Sequence, residues 1–196
     1  MARVIRDQAA GLRGLSALRT DDSVRIVAVA GGKKGVGKTS VVVNLATILA
    51  QNGKHVLILD ESPQNNNVNA HLGLHAHHDL AHVINRDKKL EQVILQGPHG
   101  VSVLTAIRGI RSLAKLDVGD QDWLVKCFSE LSKPVDVVLI DTAIGGASQV
   151  LPLSLASQQV LIVLSGSPTS ITDAYTLIKI MSKEYAKQHF LVLVNN

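Results

Sequence analysis

The chain has 196 residues, of which 46% are hydrophobic and 18% are charged. This composition excludes a disordered chain and is typical of one α/β domain with an apolar core. A single cysteine excludes an intrachain disulfide and indicates a reducing, cytoplasmic location, and no apolar run is long enough to span a membrane. The net charge of +4 comes from scattered basic residues, so we expect a solvated surface and no specific nucleic-acid partner.

The first 20 residues form a segment separate from the rest of the chain. Ala9, Leu12, Leu15 and Leu18 recur every third residue and predict a short helix with one apolar stripe. Such a segment is expected to fold against a partner or against its own domain. Residues 21–23 are polar and predict a linker.

A glycine-rich stretch, GGKKGVGKTS at 31–40, stands between a β-branched run and a long apolar run. The run at 24–30 predicts a strand, and the run at 41–50 predicts a helix that ends before Gly53. Gly32, Gly37, Lys38 and Thr39 fit the phosphate-loop pattern G-x-x-x-x-G-K-[ST]. Strand, loop and helix in this order predict a site for a polyphosphate.

The pattern assigns a role to each part of the loop. Backbone N–H groups and the helix N-terminus face the phosphates, Lys38 neutralises their charge, and the Thr39 hydroxyl binds Mg²⁺. Because the whole loop encloses the phosphates, the predicted nucleotide contacts are Gly32, Lys33, Lys34, Gly35, Val36, Gly37, Lys38, Thr39 and Ser40.

Two later strands end in aspartate. The run at 55–60 ends in Asp60, and the run at 135–142 carries Asp141. Ligands of open parallel sheets bind at the carboxyl edge, where both carboxylates are expected. We predict that Asp141 binds Mg²⁺, directly or through water, and that Asp60 supports the same site.

The rest of the chain alternates between strand and helix patterns. A polar loop is predicted at 61–69. Helices are predicted at 79–85, 88–96, 120–131 and 171–185, and the remaining strands at 101–104, 159–164 and 190–194. Six strands with intervening helices predict a doubly wound, mostly parallel sheet of the P-loop NTPase type, spanning residues 24–196.

A histidine cluster at 71–82 leaves two interpretations open. The pairs His71/His75 and His78/His82 have the i,i+4 spacing of metal ligands. No cysteine and no obvious carboxylate joins them, so packed or solvated histidines are the default interpretation.

The loop resembles the deviant Walker A motif of MinD/ParA-type ATPases, K-G-G-x-G-K-[ST], with Lys33 at the signature lysine. Within that family the chain is similar to the FlhG/FleN subfamily, through the D-Q-A-x-x-L-R motif at 7–13 and the P-T-S-I-T-D-A-Y segment at 168–175. The resemblance implies a MinD-like fold and an ATP- and Mg²⁺-dependent homodimer with weak ATPase activity. It also implies a role in flagellar placement or number.

The resemblance further assigns residues and partners. Lys33 reaches the nucleotide of the second subunit and acts with Lys38, Asp60 and Asp141 in catalysis, while Asn195 contacts adenine. The N-terminal helix binds an FlhF-type GTPase of the signal-recognition class and stimulates it through Gln8; its contact residues are Asp7, Gln8, Ala9, Leu12 and Arg13. Flagellar switch proteins or a transcription activator are further expected partners.

Three departures from the family pattern leave alternatives open. Lys34 replaces a glycine that packs in the family dimer, and it either obstructs closure or adds charge to the phosphates. Ser62 replaces the second aspartate of D-x-D, and a serine cannot polarise water as a carboxylate does. These two departures make a non-hydrolysing regulatory protein the alternative to a weak ATPase. A ParA-like DNA-segregation ATPase is a further alternative, and the N-terminal motif argues against it.

The third departure is that the sequence stops at 196, before the family's C-terminal amphipathic helix. Membrane contact of the MinD kind is therefore not expected.

Overall fold

The computed structural model describes residues 24–62, 67–106, 116, 118–143 and 157–195. The N-terminal segment, the linker and residues 63–66 of the polar loop lie outside these ranges, as do 107–115, 117, 144–156 and 196.

Within the described ranges, seven strands form one sheet in the order β3-β4-β2-β5-β1-β6-β7. All neighbouring pairs are parallel except β3 with β4. Their bounds are β1 Arg25–Ala30, β2 Val56–Asp60, β3 Leu95–Gln96, β4 Ser102–Thr105, β5 Val137–Asp141, β6 Gln159–Leu164 and β7 Phe190–Val194. The mostly parallel, doubly wound sheet is confirmed.

In the same part of the chain, six α-helices and one 3₁₀ turn at Pro98–Gly100 connect the strands. The helices are α1 Lys38–Gln51, α2 Val68–Leu72, α3 Leu80–Ile84, α4 Leu90–Val93, α5 Val118–Ser129 and α6 Pro168–Tyr185. Three of them begin earlier than the apolar pattern predicts, and one of these is α5, which begins at Val118 and not at 120. α1 begins at Lys38, inside the glycine-rich motif, and α6 begins at Pro168, because Ser167 caps it and proline fits the first helical position.

The prediction of a helix over 88–96 is wrong at its end. α4 has only four residues, and Leu95 and Gln96 form the antiparallel edge strand β3 opposite Val103 and Ser102. Gly97 comes next and donates its N–H to the Val101 carbonyl at 2.7 Å, which turns the chain into β4. This tertiary pairing adds a seventh strand to the six expected.

The helices cover both faces of the sheet. Side chains alternate along β1, so Val29 joins the core under α1 and α2, while Ile26 and Ala28 join the core under α3, α4 and α5. α6 packs on the same face as α5, against β6. Asp60 and Asp141 end the two fully buried strands β2 and β5 in paired register, so the apolar interior brings both carboxylates to the loop after β1.

Candidate functional site

The glycine-rich loop joins the carboxyl end of β1 to the N-terminus of α1. Gly37 is the N-cap of α1 and has φ +88°, a left-handed conformation that favours glycine. Gly32 also has to be glycine, because a Cβ there would lie 2.3 Å from the backbone of Asp173 in α6. The loop is therefore shaped by its own backbone and by the close approach of α6.

Lys38 is the first residue of α1 and is only 8% exposed. Burial lowers the pKa of its ammonium group, and the nearby Asp141 carboxylate opposes that change. A buried cation at a helix N-terminus costs free energy unless an anion compensates it, so this position favours a phosphate ligand.

Thr39 and Asp141 are joined directly. The Thr39 hydroxyl donates to Asp141 Oδ2 at 2.7 Å, while Asp141 Oδ1 is buried and has no hydrogen-bond partner among the described residues. Burial raises the pKa of Asp141, and the Thr39 hydrogen bond and the Lys38 charge oppose that rise. An orphaned carboxylate oxygen beside a hydroxyl fits a hard cation such as Mg²⁺, so the residues present fit the expected metal.

Asp60 lies opposite Asp141 in the neighbouring strand and is fully buried. Both of its oxygens accept backbone N–H groups, Oδ1 from Ser62 at 2.9 Å and Oδ2 from Val68 at 3.1 Å. Burial raises its pKa to about 7, with the two hydrogen bonds opposing. Asp60 thus holds the start and the end of the polar loop beside the site.

Glu61 is a buried carboxylate that the phosphate-loop pattern does not single out. It is 1% exposed, its Oε2 accepts the Ala143 N–H at 3.3 Å, and its Oε1 has no partner among the described residues. Burial, followed by the charges of Asp141 and Asp60, raises its pKa to about 8. Strand alternation predicts that Glu61 points away from Asp60, and only the tertiary structure shows that it ties β2 to the exit of β5. An acidic residue directly after the strand-ending aspartate is the one signal for it in the sequence.

Lys33 contacts its own subunit. Its Nζ donates to the Thr169 hydroxyl in the first turn of α6 at 3.2 Å, at the surface. Lys34 is exposed, as are Lys33 and Gly35, whereas Val36 is buried in the core under α1. Ser40 is half-buried in the first turn of α1.

Asn195 lies just after β7 and contacts the glycine-rich loop. Its side-chain amide donates to the Val36 carbonyl at 3.0 Å, and its backbone N–H donates to the Leu164 carbonyl at 2.8 Å. A Cβ on Gly37 would lie 2.3 Å from this amide nitrogen. The structure thus brings Asn195 against the loop over a sequence distance of 159 residues.

Two sets of sequence-predicted site residues remain, which are the N-terminal partner-binding residues and the histidine cluster. Asp7, Gln8, Ala9, Leu12 and Arg13 lie outside the described residues. In the histidine cluster, His82 Nδ1 lies 3.1 Å from Asp79 Oδ1, and the His78 and His82 rings meet edge to face at 4.9 Å. Among the residues the structure describes, no group of three or more His, Cys, Asp or Glu side chains is placed to hold a metal, and no helix has the length and apolarity to cross a bilayer.

A glycine-rich loop, a buried lysine at a helix N-terminus and a threonine bonded to a strand-ending aspartate define a phosphate-loop nucleotide-binding domain. A protein-family model described as an AAA domain, AAA_31, matches residues 24–191. The chain belongs to this family and is a MinD/ParA-type ATPase domain.

Two relatives and one solved structure illustrate the match. The antiactivator FleN of Pseudomonas aeruginosa is 42% identical over 88% of this chain and 61% of its own length. The flagellum site-determining protein YlxH of Helicobacter pylori is 29% identical over 88% of this chain and 58% of its own length. The septum site-determining protein MinD of Pyrococcus horikoshii, solved as a complex with Mg-ADP, has a TM-score of 0.62 at 23% identity, over 87% of this chain and 68% of that one. The chain spans about three fifths of the length of the two relatives.

Proposed function

We propose that this domain binds ATP with Mg²⁺ and acts as a nucleotide-dependent switch with weak ATPase activity. The observation that carries the proposal is the hydrogen bond from Thr39 to Asp141, beside an Asp141 oxygen that has no partner among the described residues. The Mg-ADP bound to a MinD of the same fold supports it.

Each group has one task in this proposal. The loop backbone and the N-terminus of α1 bind the phosphates, and Lys38 neutralises them. Thr39 and Asp141 hold Mg²⁺, which supplies charge neutralisation at the phosphate oxygens. Asn195, whose side-chain amide donates to the Val36 carbonyl of the loop, contacts the adenine base in this proposal.

Isothermal calorimetry tests nucleotide binding. We expect wild type to bind ATP and ADP with Mg²⁺ and Lys38→Ala to lose binding, because the phosphate charge is then uncompensated in a buried site. Lys54→Ala is the matched control, because Lys54 is an exposed lysine after α1. A wild-type protein that ignores both nucleotides at millimolar Mg²⁺ contradicts the proposal.

A non-hydrolysing regulator is the second candidate, and Ser62 is the observation that favours it. Ser62 is 9% exposed and its N–H is bound to Asp60, so it stands beside the site without a carboxylate. Single-turnover hydrolysis of ATP separates the two candidates. Turnover by wild type supports the weak ATPase. No turnover by wild type, with turnover by Ser62→Asp and not by Ser62→Asn, establishes the non-hydrolysing regulator.

We further propose that the domain regulates flagellar number or placement, as the name of YlxH, a flagellum site-determining protein, suggests for that protein. Residues 1–20 act on an FlhF-type GTPase, with a flagellar switch protein or a transcription activator as further partners. We also propose an ATP-dependent homodimer, in which Lys33 breaks its hydrogen bond with Thr169 and binds the nucleotide of the second subunit. Sedimentation with ADP and with ATP tests for this dimer.

A further inference from the structure

The exit of β5, residues 141–143, is held by the two neighbouring strands. The backbone ladders of β5 with β1 and with β2 both end at Asp141. Beyond that residue, Thr142 donates its N–H and its hydroxyl to the Val29 carbonyl, at 3.2 and 2.9 Å. From the side of β2, the Glu61 N–H donates to the Asp141 carbonyl at 3.1 Å. These contacts hold the backbone on both sides of the residue that is expected to bind Mg²⁺.

The Glu61 side chain adds a further contact at the end of this segment. Its Oε2 accepts the Ala143 N–H at 3.3 Å. Glu61 therefore holds residue 141 through its backbone and residue 143 through its carboxyl group.

Glu61 and the Asp141 carboxylate lie on opposite faces of the sheet. Leu57 and Leu59 belong to the core under α3, α4 and α5, and Glu61 continues their alternation one step beyond β2. Asp141 instead faces α1, where it accepts the Thr39 hydroxyl. Glu61 is therefore placed to hold the backbone that carries Asp141, and not to bind the metal itself.

Burying Glu61 costs free energy that one long hydrogen bond recovers only in part. The residue is 1% exposed, and its Oε1 has no partner among the described residues. Burial, together with the charges of Asp141 and Asp60, raises its pKa. An apolar residue of similar volume is often no less stabilising at such a position. A buried and incompletely satisfied carboxyl group beside the site therefore indicates a role other than stability.

We propose that Glu61 is a positioning residue for the metal ligand Asp141. By accepting the Ala143 N–H, it sets where the backbone leaves β5 and so where the Asp141 carboxylate lies relative to the Thr39 hydroxyl. Mg²⁺ requires near-ideal octahedral geometry, so a small displacement of one ligand weakens the site. A carboxyl group accepts an N–H whether or not it is protonated, so the role depends on reach and not on charge. This role rests on the proposed function, because it belongs to the same metal site.

Two variants separate the reach of the side chain from its charge. Glu61→Gln keeps the length and an acceptor oxygen but has no charge, whereas Glu61→Asp keeps the charge but is one methylene too short to reach Ala143. Glu184→Asp, at an exposed position of α6, is the matched control. Calorimetry with ADP, in EDTA and with Mg²⁺, gives the factor by which Mg²⁺ strengthens binding to each protein.

We expect Glu61→Asp to lower this factor at least fivefold, and Glu61→Gln and Glu184→Asp to stay within twofold of wild type. Binding in EDTA should be the same in all four proteins, because Lys38 and the loop backbone bind the phosphates without Glu61. An unchanged factor in Glu61→Asp or a lowered factor in Glu61→Gln overturns the proposal. Equal losses with and without Mg²⁺ also overturn it, because they show a structural role alone.

Hydrogen exchange tests the contact without nucleotide. In protein with isotope-labelled alanine, NMR should show the Ala143 amide exchanging at least ten times more slowly in wild type and Glu61→Gln than in Glu61→Asp. Similar rates in all three proteins mean that the carboxyl group does not hold Ala143, and they overturn the proposal. A wild type that binds no ADP with Mg²⁺ contradicts the proposed function and the positioning role with it, and the exchange rates then show whether the contact itself exists.

Discussion

Thr39 and Asp141 are 102 residues apart in sequence, and the Thr39 hydroxyl donates to the Asp141 carboxylate at 2.7 Å. The contact joins the first turn of α1 to the end of β5, and both side chains border the position expected for Mg²⁺. The hydroxyl donates its hydrogen to Asp141 and keeps the lone pairs of its oxygen for a metal ion, so a change at Thr39 should affect metal-dependent affinity first.

Thr39→Ala should weaken binding of ATP at least tenfold in the presence of Mg²⁺, because the hydroxyl ligand is lost. In EDTA the variant and wild type should bind ATP with similar affinity. Thr39→Ser retains the hydroxyl and should stay within threefold of wild type. Calorimetry with and without Mg²⁺ measures each value, and an equal loss in both conditions contradicts the assignment of Thr39 as a metal ligand.

Gly37→Ala should lower the free energy of unfolding by more than about 1–2 kcal/mol, which is the cost expected for a residue with a Cβ in the left-handed conformation. The added Cβ would lie 2.3 Å from the Asn195 amide nitrogen. Gly53→Ala is the control, since Gly53 has φ +79° but open space around its Cβ position. Urea unfolding measures both, and Asn195→Ala should recover part of the Gly37→Ala loss. A loss no larger than that of Gly53→Ala, with no recovery, would show that Asn195 does not contact the loop.

The buried acids predict a pH dependence of the metal-free protein. Glu61 holds a proton to about pH 8 in the folded state but releases it near 4.5 when unfolded, so the folded state binds more protons between these values. The free energy of unfolding should therefore fall as pH rises through this window, by up to about 1.4 kcal/mol per pH unit for each such group. Asp60 adds to the decline up to about pH 7.

Glu61→Gln removes the Glu61 contribution. The variant should lose less stability between pH 5 and 8 than wild type and should be the more stable protein at pH 8, as measured by urea unfolding in EDTA. Glu184→Gln, on the exposed side of α6, is the control and should keep the wild-type slope. A Glu61→Gln slope equal to that of wild type would mean that Glu61 is already ionised in the folded protein.

Gln8→Ala should reduce the stimulation of an FlhF-type GTPase at least tenfold, because a glutamine amide orients the attacking water in GTPases of related chemistry. Binding of ATP should not change. Ser16→Ala, in the same segment, is the matched control and should retain stimulation. A GTPase assay in which residues 1–20 have no effect removes the proposed partner, while the nucleotide site stands.

The sequence by itself determined what depends on spacing within a short stretch. The glycine positions and the flanking apolar runs identified the phosphate loop, and strands ending in Asp60 and Asp141 placed two carboxylates at one edge, because parallel strands share that edge. Only the tertiary structure decided the contacts made across long sequence separations. These contacts depend on which distant segments the core brings together. They include the pairing of Leu95 and Gln96 with β4, the burial of Glu61 against Ala143 and the hydrogen bond from Lys33 to Thr169. The contact of Asn195 with the loop has the same origin.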